Sequence, residues 1–314
     1  MNGIMTHSPS TLRLGTRGSK LARAQAETVR AALAEAAGIA CDIVVLKTSG
    51  DLVQDRPLAD IGGKGLFTKE LEEALQKCTI DLAVHSMKDV PPALPSGLAI
   101  AAVLPREDVR DAFISHSVPS LADLPQGARI GTGSVRRSAQ IARARPDLEI
   151  LPLRGNVDTR LAKLDAGAFD AILLAYAGLK RLGLQHRVTS LLSADTWLPA
   201  LSQGAVGVEI RLMDDNVAGA VDCLNDQATQ IALACERAFQ LALDGSCRTP
   251  IAGLATFAQG RLEFRGEVLA PDGSDFATSK LKRQLGSDPV PDSAAAGRTA
   301  GMALRPRVLA WLAT

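Results

Sequence analysis

Aromatic side chains are scarce in this 314-residue chain: Phe, Trp and Tyr together make up 3% of it, with a single Tyr. Proteins that bind single-stranded nucleic acid stack its bases on such side chains. An excess of one charge is lacking as well, since 35 Lys and Arg oppose 34 Asp and Glu and leave a net charge of +1. Binding to nucleic acid or to anionic membranes needs a basic surface. The composition therefore argues against both classes of partner.

Paired cysteines and long apolar runs are also missing. The five cysteines have no CxxC spacing and stand at positions 41, 78, 223, 235 and 247. An odd, dispersed set favours neither a disulfide framework nor a zinc site, and we expect no metal. The leading "MNGIMTHSPS" has no apolar segment of a secretory signal, and no apolar run is long enough for a membrane-spanning helix. We expect a cytoplasmic protein with no membrane partner.

The chain does contain a regular alternation of strand-like and helix-like segments. Apolar runs such as "TLRLGT" and "IDLAVHSM" are separated by helical patterns, the first of which Ser19 can cap. A second alternating set begins near Arg106. Such alternation is typical of parallel sheets flanked by helices, and the chain is too long for one compact core. We predict two α/β domains, whose ligands would lie beyond the carboxyl ends of the strands.

The last third of the chain has a different pattern. After about Asp222 comes a helix, and then "RLEFRGEVL" alternates apolar and charged residues as a half-buried antiparallel strand does. The segment "APDGS" has turn residues, and a helix is expected near Ala300–Leu312. These features predict a third, smaller α+β domain.

Arginine is abundant and clustered. The chain has 25 Arg and 10 Lys, and the stretch from Arg129 to Arg160 has seven Arg and three acids. In "GTGSVRR", Ser134 is suited to cap a helix whose first turn then holds Arg136 and Arg137. Cations at this positive end of the helix dipole cost roughly 0.3–1 kcal/mol each. A bound anion would resolve the conflict, and a solvated surface pair is the alternative.

Two other predicted strand ends repeat this arrangement. Arg154 ends a strand ahead of the helix that contains Arg160, and Arg17 lies in a strand-to-helix turn. Three strand ends with Arg beside a helix N-terminus predict an anion-binding cleft. Arg106 and Arg110 have acids close by in "REDVRDA", and we interpret them as structural ion pairs.

The segment "DLAVHSMKDVPP" places Lys88 and Asp89 at the end of an apolar strand, before two prolines that keep the chain extended. An acid among arginines suits a ligand that develops positive charge or exchanges a proton. A surface Lys–Asp turn is the alternative. His85, on the apolar strand itself, is interpreted as a core histidine and not as a base.

One cysteine stands apart from the others. Cys247 in "DGSCRTP" lies in an irregular segment beside Arg248, which favours a thiolate and access to it. Cys235 falls on the apolar face of a helix and is interpreted as core. The residues alone leave Cys247 as either a nucleophile or a covalent attachment point, and no general base identifies a Cys–His enzyme.

Nine motifs occur in one order between residues 15 and 253. They are "GTRGSKLA", "GGKGLFTKELE", "AVHSMKDVP", "REDVRDAF", "GTGSVRR", "RGNVDTRLAKL", "AYAGLKRLGL", "QGAVGVE" and "DGSCRTPIAG". With this set the chain resembles the porphobilinogen deaminase (hydroxymethylbilane synthase) family over nearly its whole length. The resemblance implies a transferase of tetrapyrrole (heme) biosynthesis. Such an enzyme joins four porphobilinogen molecules head to tail, with loss of ammonia, and releases hydroxymethylbilane by hydrolysis.

The resemblance also implies the architecture. We expect an α/β protein with two lobes like those of type II periplasmic-binding proteins, followed by a small α+β C-terminal domain. The implied boundaries are 11–104 with 205–222 for the first domain, 105–204 for the second and 223–314 for the third. A monomer is expected from the family, with porphobilinogen as the partner and no nucleic acid.

The cofactor implied by the resemblance is dipyrromethane, attached by a thioether to Cys247, which makes this cysteine an anchor. Asp89 matches the family's catalytic aspartate, which would bind pyrrole N–H groups and stabilise the cation left by loss of ammonia. The long connector before Gly65 would be a lid. The other positions matching the family's cofactor- and substrate-binding residues are Arg17, Ser19, Gln25, Lys64, Phe67, Lys88, Ser134, Arg136, Arg137, Arg154, Arg160 and Gln203.

Two other functions agree with only part of the sequence. A non-enzymatic anion-binding protein on the same two-lobed scaffold explains the arginines but gives no role to Asp89 and Cys247. An Arg-rich nucleic-acid binder conflicts with the net charge and the few aromatics. The enzyme is the function that uses all of these residues.

Overall fold

The structure, a computed structural model, describes residues 11–52, 65–243 and 249–312. Lys64, Cys247 and most of the predicted lid lie outside these ranges. The chain divides into two compact units. Of the described residues, unit 1 consists of 11–52, 65–105 and 206–226, and unit 2 consists of 106–205, 227–243 and 249–312.

Unit 1 is built around a five-stranded mixed sheet. Its strands are β1 (Thr11–Arg17), β2 (Ala40–Leu46), β3 (Leu82–Ser86), β4 (Leu98–Val103) and β10 (Val206–Arg211). Their order in the sheet is β2-β1-β3-β10-β4. Strand β1 pairs in parallel with β2 and β3, whereas β10 is antiparallel to both β3 and β4. The helices of this unit are α1 (Lys20–Ala37), α2 (Ser49–Leu52), α3 (Lys69–Gln76) and α7 (Asp215–Val221).

Helix α1 forms where the sequence predicts it. Ser19 caps its N-terminus by accepting a hydrogen bond from the backbone N–H of Ala22 at 3.2 Å. Gly38 ends the helix in the left-handed conformation, with φ of 66°. The predicted apolar face is confirmed as the buried side, and its buried residues are Ala22, Gln25, Ala26, Val29 and Leu33.

Unit 2 contains a second five-stranded sheet with the same plan. Its strands are β5 (Asp111–Ser115), β6 (Arg129–Thr132), β7 (Glu149–Pro152), β8 (Ala171–Ala175) and β9 (Ser190–Leu191). They lie in the order β7-β6-β8-β5-β9, with β5 antiparallel to β8 and β9 as β10 is to β3 and β4. Its helices are α4 (Val135–Ala144), α5 (Val157–Asp165) and α6 (Tyr176–Arg181).

Unit 2 also includes a small antiparallel sheet. Strands β11 (Ile251–Ala258), β12 (Arg261–Leu269) and β13 (Phe276–Gln284) pair in chain order, beside helices α8 (Gln227–Ala242) and α9 (Pro289–Leu312). Phe239 of α8 and Phe264 of β12 pack edge to face in this core, with ring centroids 4.9 Å apart. The predicted fold class, two α/β lobes with a small α+β C-terminal part, is confirmed. The three domain boundaries stay a prediction.

None of the helices in the described ranges combines the length and the apolar character that crossing a membrane requires.

Candidate functional site

A cavity in unit 1 lies at the carboxyl ends of β1 and β3, where parallel strands bring their last residues to one edge of the sheet. Arg17 is the last residue of β1, and Asp89 ends the one-turn 3-10 helix that follows β3. The cavity is lined by Arg17, Ser19, Leu21, Ala22, Gln25, Phe67, Val84, His85, Ser86 and Asp89. Strand pairing thus gathers five of the predicted site residues around one space.

Asp89 is half-buried in this cavity. No hydrogen bond or ion pair joins its carboxylate to another residue of the described ranges. Lys88, its predicted neighbour in the site, is exposed and does not line the cavity. The carboxylate oxygens of Asp89 can therefore accept hydrogen bonds from a ligand without first breaking a bond to the described part of the protein.

The other polar side chains of the cavity are held in place by neighbours. The guanidinium of Arg17 stacks on the ring of Phe67, with its central carbon 4.1 Å from the ring centroid. The amide of Gln25 and the hydroxyl of Ser86 are hydrogen-bonded at 2.9 Å. These contacts restrict the rotamers of groups that would meet a ligand, which lowers the entropy cost of binding it.

The predicted arginine pair of unit 2 is buried. Arg136 and Arg137 lie in the first turn of α4, capped by Ser134, and are only 4% and 5% exposed. The structure therefore excludes the alternative of a solvated surface pair. Their counter-charge is Asp111 at the start of β5, which lies 2.9 Å from Nη2 of Arg136 and 2.7 Å from Nη2 of Arg137. The protein's own carboxylate thus offsets the cost of two cations at a helix N-terminus.

Asp111 is fully buried and accepts hydrogen bonds from two further side chains. Nε2 of Gln203 donates to it at 2.8 Å, and the indole N–H of Trp197 donates at 3.0 Å. Burial by itself would raise the pKa of this carboxyl, but the positive charges of Arg136 and Arg137 outweigh burial and hold the pKa far below its usual range. Asp111 is therefore an ionised anchor for the arginine pair.

Some polar atoms around Asp111 have no hydrogen-bond partner among the described residues. They are Nε of Arg136, Nε of Arg137 and Oε1 of Gln203, all of them buried. Buried N–H groups are rarely left without an acceptor in native proteins. Two such donors on adjacent guanidiniums suit a carboxylate, which accepts several hydrogen bonds at once.

The remaining predicted arginines of unit 2 flank α5. Asn156 caps this helix by accepting from the backbone N–H of Thr159 at 2.9 Å. Nε of Arg160 donates to the carbonyl oxygen of Gly155 at 2.8 Å, and burial lowers the pKa of Arg154. The backbone between the two arginines is therefore fixed by the helix cap.

Two residues that the sequence analysis did not select belong to these surroundings. Asp111 is a single acid at the start of the buried strand "DAFIS", and a charge in such a place is a signal of a buried pair. Arg181 donates from Nη2 to the carbonyl oxygen of Gly204 at 2.6 Å, next to Gln203. Burial lowers its pKa, and no sequence neighbour marked it out.

Three further interpretations of the sequence are confirmed. Nε2 of His85 is 2.9 Å from a carboxylate oxygen of Glu209, so this buried histidine has a partner within the core. Arg110 pairs with Asp108 of "REDVRDA" at 2.6 Å, whereas Arg106 forms its ion pair with Glu236 at 2.7 Å and not with an acid of that motif.

The chain matches two family models that together span most of its length. The model described as "Porphobilinogen deaminase, dipyromethane cofactor binding domain" matches residues 12–219, and "Porphobilinogen deaminase, C-terminal domain" matches residues 230–305. The curated porphobilinogen deaminase of Nitrobacter hamburgensis is 52% identical over 298 residues, covering 94% of this chain and 92% of that protein. The porphobilinogen deaminase of Paracoccus denitrificans is 50% identical over 309 residues, covering 96% of this chain and 97% of that protein.

Solved structures that are similar to part of the chain have much lower sequence identity. The methionine-binding protein MetQ is 15% identical with a TM-score of 0.44, over 71% of this chain and 91% of that chain. A methionine-binding lipoprotein of Bacillus subtilis is 12% identical with a TM-score of 0.43, over 70% of this chain and 92% of that chain.

Proposed function

The chain belongs to the porphobilinogen deaminase family, and from that membership we propose how its residues divide the work of the reaction. The enzyme is a hydroxymethylbilane synthase of tetrapyrrole biosynthesis, a transferase that joins porphobilinogen units with loss of ammonia. Asp89 stabilises the positive charge at the reacting carbon and takes up the proton that is released in the reaction. The arginines bind the carboxylates of the pyrroles. The observation that carries this division is the carboxylate of Asp89, which lines a cavity with no partner among the described residues.

The chemistry needs an anion at one point and a base at another. The C–N bond of the protonated aminomethyl group of porphobilinogen breaks, ammonia leaves with the electron pair, and the pyrrole that remains is cationic. The α-carbon of a second pyrrole attacks it and then releases a proton. The carboxylate of Asp89 stabilises the cation, accepts hydrogen bonds from pyrrole N–H groups and takes up the proton. The Arg17 guanidinium in the same cavity binds a pyrrole carboxylate without competing for the proton.

The acidic substituents of each pyrrole explain the arginines. Porphobilinogen has an acetate and a propionate group, so every unit added brings two carboxylates. The Nε–H groups of Arg136 and Arg137, which have no partner among the described residues, are suited to donate hydrogen bonds to one of these carboxylates, with Asp111 keeping both guanidiniums in place. We assign the remaining carboxylate contacts to Ser19, Lys88, Ser134, Arg154 and Arg160. Gln25, Lys64, Phe67 and Gln203 would line the cleft or its loop.

The residues also fit the dipyrromethane cofactor that the family model names for residues 12–219. Guanidinium donors and a carboxylate that have no partner in the described part of the chain match a group that has acidic substituents and pyrrole N–H donors. We propose that Cys247 attaches it by a thioether and that Asp89, Arg136 and Arg137 hold it. When bound, the cofactor supplies the pyrrole α-carbon from which the product is built.

We further propose that the protein acts as a monomer in the cytoplasm. The formal charge of +1 and the scattered cysteines accord with a reducing compartment and with no nucleic-acid partner.

The test compares Asp89→Asn with Asp42→Asn, an exposed aspartate of β2 in the same unit. Purified holoenzyme is supplied with porphobilinogen, and hydroxymethylbilane formation is followed alongside intact mass. We expect Asp89→Asn to keep the cofactor mass and lose about 10²–10⁴-fold in kcat, because general acid–base groups contribute on this scale. Asp42→Asn should match the wild type. Normal turnover by Asp89→Asn would contradict the role of Asp89.

The anchor is tested separately. Cys247→Ala should lack the added mass of the cofactor, whereas Cys223→Ala, which removes an exposed thiol, should retain it. An unchanged added mass in Cys247→Ala would place the attachment elsewhere.

A further inference from the structure

The ring of Phe67 has a neighbour on two sides at the wall of the Asp89 cavity. The guanidinium of Arg17 lies over the face of the ring, with its central carbon 4.1 Å from the ring centroid. The edge of the ring lies against Gly50 of α2, where an added Cβ would overlap the ring and stand 2.8 Å from the carbonyl oxygen of Leu66. Gly50 is buried, so the ring cannot move toward α2. The backbone of α2 therefore sets the position of Phe67.

The backbone of α2 is itself fixed by Glu70, in the first turn of α3. Oε1 of Glu70 accepts a hydrogen bond from the backbone N–H of Ser49 at 2.8 Å and another from the hydroxyl of the same residue. The backbone N–H of Gly50 donates to the carbonyl oxygen of Leu66 at 2.9 Å. These bonds join two consecutive residues of α2 to the segment that contains Phe67.

Glu70 forms its bonds as a carboxylate. Burial opposes its ionisation, but hydrogen bonds from the hydroxyl and the backbone N–H of Ser49 outweigh burial and lower the pKa of Glu70. The first turn of a helix also favours a negative charge, because the helix dipole is positive there. Hydrogen bonds to an ionised group are stronger than those between neutral groups, so Glu70 holds α2 firmly.

The guanidinium of Arg17 benefits from a fixed ring because an arginine side chain has many rotamers. The step from this geometry to catalysis rests on the proposed function, in which Arg17 binds a pyrrole carboxylate in the Asp89 cavity. A planar guanidinium binds a carboxylate best when two of its N–H groups point at the two oxygens. Stacking on Phe67 fixes the plane of the guanidinium and so favours this arrangement.

We propose that Gly50 and Glu70 are positioning residues for substrate binding. Glu70 fixes α2, and Gly50 sets the place of the Phe67 ring. The ring in turn orients the Arg17 guanidinium toward a pyrrole carboxylate. Neither Gly50 nor Glu70 lines the cavity, so both act through Arg17 and not on the substrate. Their loss therefore weakens substrate binding more than the chemical step.

Steady-state kinetics of the holoenzyme with porphobilinogen tests the positioning. We expect Gly50→Ala and Glu70→Ala each to raise KM by about tenfold and to change kcat by less than about threefold, because a misplaced guanidinium loses a charge-assisted hydrogen bond to the substrate. Glu70→Gln keeps an acceptor oxygen without the charge, and its KM should lie between those of Glu70→Ala and the wild type. Ser49→Ala removes one bond at an exposed residue and carries the test if the other variants do not fold.

A double-mutant cycle separates positioning from a general structural effect. If Gly50 acts through the guanidinium, Gly50→Ala placed in an Arg17→Gln background should change KM by less than about twofold. A tenfold rise in KM in both backgrounds would mark a structural role and would overturn the positioning.

Two matched controls lie in the same unit. Glu73→Ala removes another carboxylate of α3, which pairs with Lys77 at 3.2 Å on the surface of the helix. Gly219→Ala adds a Cβ in α7 that meets nothing within 4 Å. Both variants should keep the wild-type KM and kcat.

NMR of the holoenzyme gives a measurement that does not depend on turnover. Arginine is isotope-labelled, and the side-chain signal of Arg17 is identified by its loss in Arg17→Gln. The ring of Phe67 shifts this signal while the two groups stack, so Gly50→Ala and Glu70→Ala should move it and the two controls should not. An unmoved signal would overturn the positioning. A moved signal with an unchanged KM would instead contradict the carboxylate contact of Arg17 in the proposed function, so the two failures are distinguishable.

Discussion

Arg143 of α4 binds Glu267 of β12 through both terminal nitrogens: Nη1 is 2.6 Å from one carboxylate oxygen and Nη2 is 3.3 Å from the other. Gln140, one turn earlier in α4, donates to Glu267 at 3.4 Å and accepts from Arg136 at 2.8 Å. A chain of hydrogen bonds therefore runs from the small antiparallel sheet to a guanidinium of the proposed carboxylate site. Glu267 is 6% exposed, so this chain is shielded from solvent.

The first prediction concerns this chain of bonds. Glu267→Gln should destabilise the protein by about 1–3 kcal/mol, because it weakens two charge-assisted hydrogen bonds in a buried place. It should also raise KM more than it lowers kcat, since Arg136 would lose a fixed orientation. Urea unfolding and steady-state kinetics measure the two effects.

Glu263→Gln is the matched control for Glu267→Gln. Glu263 lies on the same strand and pairs with Lys282 at 2.9 Å, but both side chains are exposed. Its loss should cost less than about 1 kcal/mol and leave KM unchanged. Equal effects of Glu267→Gln and Glu263→Gln would show that the buried series of hydrogen bonds does not position Arg136.

The second prediction concerns Asp111, which four side chains contact. Asp111→Asn leaves two buried guanidiniums without their counter-charge, and we expect a loss of about 3–5 kcal/mol in the free energy of unfolding. Asp108→Asn breaks a partly exposed pair with Arg110 and should cost about 1 kcal/mol or less. A loss in Asp111→Asn no larger than in Asp108→Asn would refute the anchoring role.

The third prediction concerns the difference in unfolding free energy between the wild type and Asp111→Asn, and how it depends on pH. The folded-state pKa of Asp111 is far below the unfolded value of about 3.9. A lowered pKa gives stability that is fully present above the unfolded pKa and is lost as the pH falls below it, because the unfolded chain then takes up a proton that the folded chain does not. The gap in unfolding free energy between the wild type and Asp111→Asn should therefore be constant from pH 5 to pH 7 and narrow below about pH 4. A difference in unfolding free energy that stays constant down to pH 2.5 would contradict this prediction.

Local signals in the sequence predicted the elements that local interactions determine. Ser19 and an apolar face with helical spacing determine α1 within a few residues, and both act as the sequence predicts. The apolar run "DAILLAYAG" is typical of a single strand, but apolar continuity does not separate a strand from a buried helix. Strand β8 ends at Ala175, and α6 begins at the next residue.

Long-range pairing accounts for what the sequence did not predict about the site. The serine cap predicts that Arg137 lies in a first helical turn. Its partner Asp111 lies 26 residues earlier, on strand β5. Sequence spacing has no information about which strands become neighbours in a sheet. The free energy of a buried ion pair depends on which strands are neighbours. The sequence alone therefore could not show whether a bound anion or a carboxylate of the protein faces the arginine pair.

The last prediction tests how the turn that holds Asp89 is positioned. Gly207 of β10 lies against Met87, the first residue of that turn, and a Cβ added to Gly207 would overlap the sulfur of Met87 and lie 3.1 Å from its Cγ. Met87 is 2% exposed and has little room to move. Gly207→Ala should cost about 1–3 kcal/mol through overpacking, and displacement of Met87 should shift Asp89 and lower kcat by tenfold or more.

Gly219→Ala is the control that separates overpacking against Met87 from the general effect of replacing a glycine by alanine. Gly219 lies inside α7, and a Cβ added there meets nothing within 4 Å. Alanine in a helix interior is more favourable than glycine by about 0.5–1 kcal/mol, so this variant should gain stability and keep its kcat. If Gly207→Ala loses stability but keeps the wild-type kcat, the packing of Met87 does not position Asp89. In that case β3, which directly precedes the turn, would be the element that positions the carboxylate.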